Sequence, residues 1–122
     1  MNKSFTLSHR ILSIKYAING IFIMLKSQHN AWIHALATFI VCVIGLYLGL
    51  SRSEWCWIVL AMMAVWTAEA FNTAFEFLAD AVSPNYHPLI GKAKDVAAGA
   101  VLLSAIGSVI IGLIIIVPYL MD

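Results

Sequence analysis

The chain has 122 residues, 62% of them hydrophobic and 11% charged, with a formal net charge of +1. A charged fraction far below the usual quarter or so, with a mean hydropathy of +0.93, excludes an ordinary water-soluble domain and places the chain in a bilayer. Three spans of about 20 residues would use half of it, which leaves no room for a separate soluble catalytic domain, and the near-zero net charge offers nothing to nucleic acid.

Met1 to Ser4 are expected to fray. From Phe5 to Lys26 the apolar residues Leu7, Ile11, Ile14, Ile18, Ile21 and Leu25 recur at spacings of three and four, while Ser8, Lys15, Asn19 and Lys26 fall mostly elsewhere. This predicts an amphipathic helix lying on an anionic inner leaflet, and anchoring explains it as well as substrate contact does. Because Arg10, Lys15, Asn19 and Lys26 interrupt this first apolar segment, no cleavable signal peptide is expected. Ser27 to Asn30 reads as a polar break before a first span over residues 31–50, with Trp32 and Tyr47 as interfacial aromatics. His34, near its start, reads as an interfacial histidine. His29 and His34 are five apart, not at the same-face spacing of a zinc motif.

Residues 50–54 read as a tight polar turn in which Arg52 and Glu54 cancel. Trp55 and Trp57 form a second aromatic belt, and a second span is expected over 55–78. Pro84, Asn85, Pro88 and Gly91 make residues 81–94 read as a loop. A third span follows over 96–119, with a ridge of Ala100, Ser104, Ser108 and Gly112 for close helix approach, and Pro118 near its end helps to stop it. Cys42 and Cys56 read as buried free thiols. Lys3, Arg10, Lys15 and Lys26 precede the first span, Lys92 and Lys94 lie between the second and third, and only Arg52 lies in the first loop. That bias predicts a cytoplasmic N-terminus and 81–94 segment, with the C-terminus outside.

Four of the six acidic residues, Glu69, Glu76, Asp80 and Asp95, are concentrated between two apolar runs. At 100° per residue, Glu69, Asn72, Glu76 and Asp80 share one helical face with Thr73 beside them, the two glutamates roughly 10 Å apart along the axis. Ionisable groups on one face of a membrane helix are costly and mark a functional site. One carboxylate suits a base and another a hard cation, while lysines at the start of the third span suit phosphate. Together they point to phosphoryl transfer, yet neither a P-loop nor a Gly-rich kinase loop is present, which excludes a soluble kinase fold. On these features a lipid kinase competes with a proton- or cation-conducting protein and with a structural scaffold whose carboxylates form interchain salt bridges.

The run Glu69-Ala-Phe-Asn72-Thr-Ala-Phe-Glu76, then Asp80, Tyr86-His87 and Lys92-Ala-Lys94-Asp95-Val-Ala-Ala-Gly-Ala-Val, closely resembles the signature of the prokaryotic diacylglycerol kinase and undecaprenol kinase family. The resemblance covers nearly the whole chain. It implies an all-α integral membrane protein, a surface helix plus three transmembrane helices assembled as a trimeric bundle in the bacterial inner membrane. Such an enzyme moves the γ-phosphate of ATP to a lipid hydroxyl with Mg2+, at sites shared between neighbouring chains. Carried over by residue, Glu69 is similar to the family's general base and Asn72 to its active-site asparagine. Glu76 resembles the carboxylate holding magnesium against the nucleotide. Asn85, Tyr86 and His87 match the nucleotide-contacting loop, and Lys94 and Asp95 match the pair that engages ATP. Arg10 resembles a lipid contact, Tyr16 a nucleotide contact and Ala98 a further lipid contact.

One position departs from the pattern. Where the family commonly has a metal-sharing glutamate before the first span, this chain has Gln28, which could ligate magnesium through its carbonyl but brings no charge. The Asn30-Ala-Trp-Ile33-His34-Ala segment and the run after Lys94 look more like the undecaprenol kinase branch than the diacylglycerol kinase branch.

Overall fold

The structure, a computed structural model, describes residues 5–122; Met1 to Ser4, expected to fray, lie outside the described residues. The described residues form four helices and no strand: α1 Leu7–Ser27, α2 His29–Leu48, α3 Arg52–Val82 and α4 Pro88–Leu120. The last three are long and apolar enough to cross a membrane.

Thr6 caps α1 by accepting the His9 N–H at 3.3 Å. Met24 is the one buried residue of this helix, as suits a helix lying against other material rather than inside a core. The expected four-residue break after it is in fact a single residue. Gln28, extended at φ −120° and ψ 123°, is both the C-cap of α1 and the N-cap of α2. Gly49 ends α2 at φ +70°, in the left-handed region that a Cβ disfavours, and its N–H closes on the Gly45 carbonyl at 3.1 Å.

Ser51 and Glu54 then start α3 with a reciprocal capping box. Glu54 was expected to offset Arg52. Its carboxylate instead accepts the Ser51 N–H at 2.9 Å and the Tyr119 hydroxyl, because the first turn of α3 has unpaired N–H groups to satisfy and α4 ends alongside it. Leu50, Ile58 and Ile115 form the core beneath this cap, with Trp55 and Tyr119 packed on it. A Cβ at Gly45 would stand 2.6 Å from the Trp55 ring. Gly45→Ala is therefore expected to lower stability by about 1 to 2 kcal/mol, overpacking outweighing the gain in helix propensity. A lowered thermal midpoint in detergent would show it.

α3 packs principally along α4. Of the expected ridge, Ser108 lies at this contact, donating to the Ala61 carbonyl at 2.9 Å, whereas Ser104 turns back on the Ala100 carbonyl of its own helix, Ala100 is exposed and a Cβ at Gly112 would meet nothing within 4 Å. The segment read as a loop over 81–94 is much shorter, residues 83–87. Pro88 occupies the first turn of α4, where its missing N–H costs nothing, so Gly91, Lys92, Lys94 and Asp95 are helical. Pro118 does not stop α4 but sits within its last turn, near an end where one lost hydrogen bond is tolerated. Both cysteines are free, but Cys56 is exposed and Cys42 only partly buried, since a side chain facing lipid needs no protein cover.

Helix length sets the level of the site. The 20 residues of α2 match the hydrocarbon thickness, whereas the 31 of α3 and 33 of α4 make rods of about 46 and 50 Å. The short turn at 49–51 holds the start of α3 level with the end of α2. The excess, about 15 to 20 Å, is therefore at the end carrying the 83–87 loop. By length, the Glu76 to Asp80 end of α3 and the Lys92 to Asp95 end of α4 extend together past what a hydrocarbon core requires.

Candidate active site

The polar face of α3 is a gradient of burial. Glu69 is 0% exposed, Thr73 4% and Asn72 8%, whereas the Glu76 and Asp80 side chains are 35% and 65% exposed. Helical spacing put them in one line, and the overshoot of α3 makes the line run from the bundle interior into water. At the inner end Thr73 donates to the Glu69 carbonyl at 2.9 Å and holds the helix regular. Both carboxylate oxygens of Glu69 and the Oδ1 of Asn72 are buried without a hydrogen bond. Buried polar atoms are rarely left so, and three on one face mark a place where a bound molecule supplies the partner.

His34 of α2 faces this carboxylate, its Nε2 3.2 Å from Glu69 Oε2. No single-sequence signal could have found this contact, because α2 and α3 are separate spans and the rotation of one against the other is a matter of packing. His34 and Asn72 line a cleft of about 260 Å3 whose other walls include Asn30, Ile33 and Val101, together with Ala98. The predicted lipid contact at Ala98 and the predicted active-site asparagine thus share one cavity.

At the outer end Lys94 reaches back from α4, its Nζ 2.6 Å from Asp80 and 3.8 Å from Glu76. The antiparallel hairpin of α3 and α4 explains this contact, which the linear spacing did not show. Asp95 follows it, exposed. In the joining loop Ser83 donates to the Asn85 carbonyl at 2.7 Å, and His87 caps α4 by accepting the Leu89 N–H on Nδ1 at 3.1 Å. A neutral His87 ring must therefore carry its proton on Nε2, which is left as a donor. Tyr86 is 85% exposed, with its ring over Gly91, where a Cβ would stand 3.1 Å from it.

The remaining predicted residues are not joined to this face in one chain. The Arg10 guanidinium lies 4.7 Å from the Phe5 ring centroid, and Tyr16 is 65% exposed on α1. Gln28 makes no capping hydrogen bond with its side chain, so its amide is not committed to the helix start. No cluster of three or more histidine, cysteine or acidic side chains is set to hold a metal ion among the described residues.

Fold and site together define an all-helical, multi-pass membrane protein with a buried carboxylate at the lip of its apolar slab and a carboxylate–lysine group beyond it. Comparison with known proteins identifies the class further. Residues 15–116 match the prokaryotic diacylglycerol kinase family, and the chain belongs to it. It is 39% identical to the undecaprenol kinase of Bacillus subtilis (strain 168) over 108 residues, 88% of either chain. With the diacylglycerol kinase of Synechocystis it shares 36% identity over 92% of this chain and 65% of that protein. With that of Escherichia coli K12 the figures are 30%, 70% and 75%. The chain is accordingly a membrane-embedded lipid kinase, a phosphotransferase with an alcohol acceptor.

Proposed function

We propose that the protein transfers the γ-phosphate of ATP to the hydroxyl of a membrane lipid, with undecaprenol favoured over diacylglycerol. The observation that carries this reading is the fully buried, unbonded carboxylate of Glu69, whose neighbours His34 and Asn72 line a cleft, with Lys94, Glu76 and Asp80 two to three turns beyond. The preference for undecaprenol rests on the 39% identity to an undecaprenol kinase and on the Asn30 to Ala35 and Lys94 to Val101 segments.

The lipid hydroxyl enters the cleft lined by Asn72 and Ala98. Its oxygen attacks the γ-phosphorus while its proton passes to Glu69, which acts as general base. The new oxygen–phosphorus bond forms as the bond to the β–γ bridging oxygen breaks, and ADP leaves with that electron pair. Asn72 orients the hydroxyl or the carboxylate through its free Oδ1. Lys94 exchanges its exposed partner Asp80 for phosphate oxygens, with Asp95 beside it, and His87 offers Nε2–H to the nucleotide while Asn85 and Tyr86 border the base. Arg10 and Tyr16 on α1 meet the lipid and nucleotide from the surface.

Mg2+ suits this donor set: it is commonly held by one or two carboxylates plus phosphate oxygens and water, and Glu76 offers a carboxylate that is one third exposed. Glu76 would hold the ion, with Gln28 as a second, uncharged oxygen donor. When bound, the ion neutralises charge on the transferring phosphates. A homotrimer in the inner membrane, with cytoplasmic N-terminus and external C-terminus, would complete the site from neighbouring chains, which is where the surface-helix residues find their partners.

Labelled ATP offered to the purified protein in mixed micelles with undecaprenol and diacylglycerol side by side tests the reading. Phosphorylated undecaprenol in excess is the expected product. No product on either lipid, from folded protein with magnesium present, would overturn it. Gln28→Glu is expected to lower the magnesium concentration giving half-maximal activity by about 10-fold, because a carboxylate binds a hard cation more tightly than an amide. An unchanged magnesium titration would remove Gln28 from the site.

A further inference from the structure

His34 is outside the set of residues that the resemblance assigns, and its surroundings give it a task. A carboxylate at 0% exposure has lost its water partners, which is costly unless a neighbouring group compensates the loss. The compensation has to come from a neighbouring element. On α4 the residues facing the cleft are Ala98, Val101, Leu102 and Ala105, none of them ionisable. Glu76 and Asp80 on α3 itself are two to three turns away and are engaged by Lys94. From α1, no side chain among the described residues forms an ion pair with Glu69. From α2 comes His34, its Nε2 3.2 Å from Glu69 Oε2, the one side-chain nitrogen paired with this carboxylate among the described residues.

The ring is held in place. Its edge meets the Trp66 ring at 70° with centroids 6.2 Å apart. Trp66 is fixed in turn, its Nε1–H donating to Thr38 Oγ1 at 3.1 Å, and Thr38 donates to the backbone carbonyl of His34 at 2.7 Å. His34 and Thr38 are four apart on α2, and Trp66 and Glu69 three apart on α3, so each pair shares a helical face and the four close a loop between the helices. Trp66 is the contact on the imidazole itself, and Thr38 acts on the ring only by fixing Trp66. The His34 to Glu69 contact is close, but neither Glu69 oxygen has a formed hydrogen bond. Such misalignment is common in sites without substrate, where catalytic hydrogen bonds tighten only in the complex.

We propose that His34 is the positioning residue of the general base: with its ring set against Trp66, which Thr38 fixes, its Nε2–H orients the Glu69 carboxylate for proton acceptance. The inference rests on the assignment of Glu69 as base in lipid phosphorylation. It extends the machinery to an α2 residue that never touches the transferring phosphoryl group. Gln can supply a neutral N–H donor at this position, whereas Ala supplies none.

The test is kcat and KM for MgATP across pH in mixed micelles, for the wild type, His34→Ala and His34→Gln, with helicity checked by circular dichroism. His34→Ala is expected to lose about 10- to 100-fold in kcat with KM for ATP within about 2-fold. His34→Gln should recover at least 5-fold of that loss. Wild-type kcat in His34→Ala would overturn the proposal. So would a loss in His34→Ala and His34→Gln alike that comes with reduced helicity or weakened ATP binding, which is the behaviour of a packing residue. An inactive wild type would instead sink the kinase reading itself, and with it this extension.

Discussion

Replacing Glu69 by glutamine is expected to lower kcat by about 10²- to 10⁴-fold while leaving ATP binding within about 2-fold of the wild type. The substitution is nearly isosteric, and the side chain is wholly buried against His34 and the α3 face, so packing is conserved and only proton acceptance is lost. Glutamine keeps an acceptor oxygen toward His34, so the variant should fold with a thermal midpoint close to the parent's. Nucleotide contacts lie one to three turns further along α3 and on α4, which is why KM for ATP is insulated from the change. Steady-state kinetics with ATP titration, beside nucleotide binding followed by fluorescence, measures both halves. A parallel loss of binding and turnover would place Glu69 in nucleotide binding instead. An unchanged kcat would remove it from the chemistry.

Lys94→Met is expected to reduce kcat/KM for ATP by about 10²-fold, since one charged donor to the transferring phosphates is lost. Unlike Glu69→Gln, the change should appear largely in KM, because the same ammonium serves the bound nucleotide before reaction. Asp80 and Glu76 lose their partner, but the cluster faces water, so the thermal midpoint should barely move. Lys94→Arg should recover only part of the activity: the guanidinium keeps the charge but is a planar fork on a longer stem, which does not fit where a compact ammonium sat. Lys94→Met with wild-type kinetics would leave the lysine as a surface ion-pair residue that happens to cross the hairpin.

The polar face of α3 was legible before any coordinates. Glu69, Asn72, Glu76 and Asp80 recur at helical spacing inside an apolar segment, and a helix of period 3.6 has no freedom to scatter them. The same regularity made the ridge of Ala100, Ser104, Ser108 and Gly112 readable as a packing face, which holds at Ser108, hydrogen-bonded to Ala61, but not at exposed Ala100 or at Gly112, where no neighbour comes close. Helix ends were read less well. Proline and glycine between 81 and 94 looked like loop, but Pro88 at the first turn starts a helix as readily as it interrupts one, and Gly91 is tolerated inside it. Glu54 was misread for a related reason: whether a carboxylate meets a neighbouring arginine, its own helix start or a distant tyrosine depends on the turn it sits in.

Composition and periodicity alone determined that this chain lives in a bilayer as helices and which of its carboxylates share a face, because hydropathy and the helical repeat act locally along the chain. Only the tertiary structure decided that Lys94 closes on Asp80 and Glu76 and that His34 stands against Glu69. It also showed that α3 and α4 outrun α2 at the end that carries Glu76, Asp80 and Lys94. Each of these depends on how one rigid helix is rotated and staggered against another. That geometry is set by side-chain packing summed over the whole interface, and no short stretch of sequence carries it.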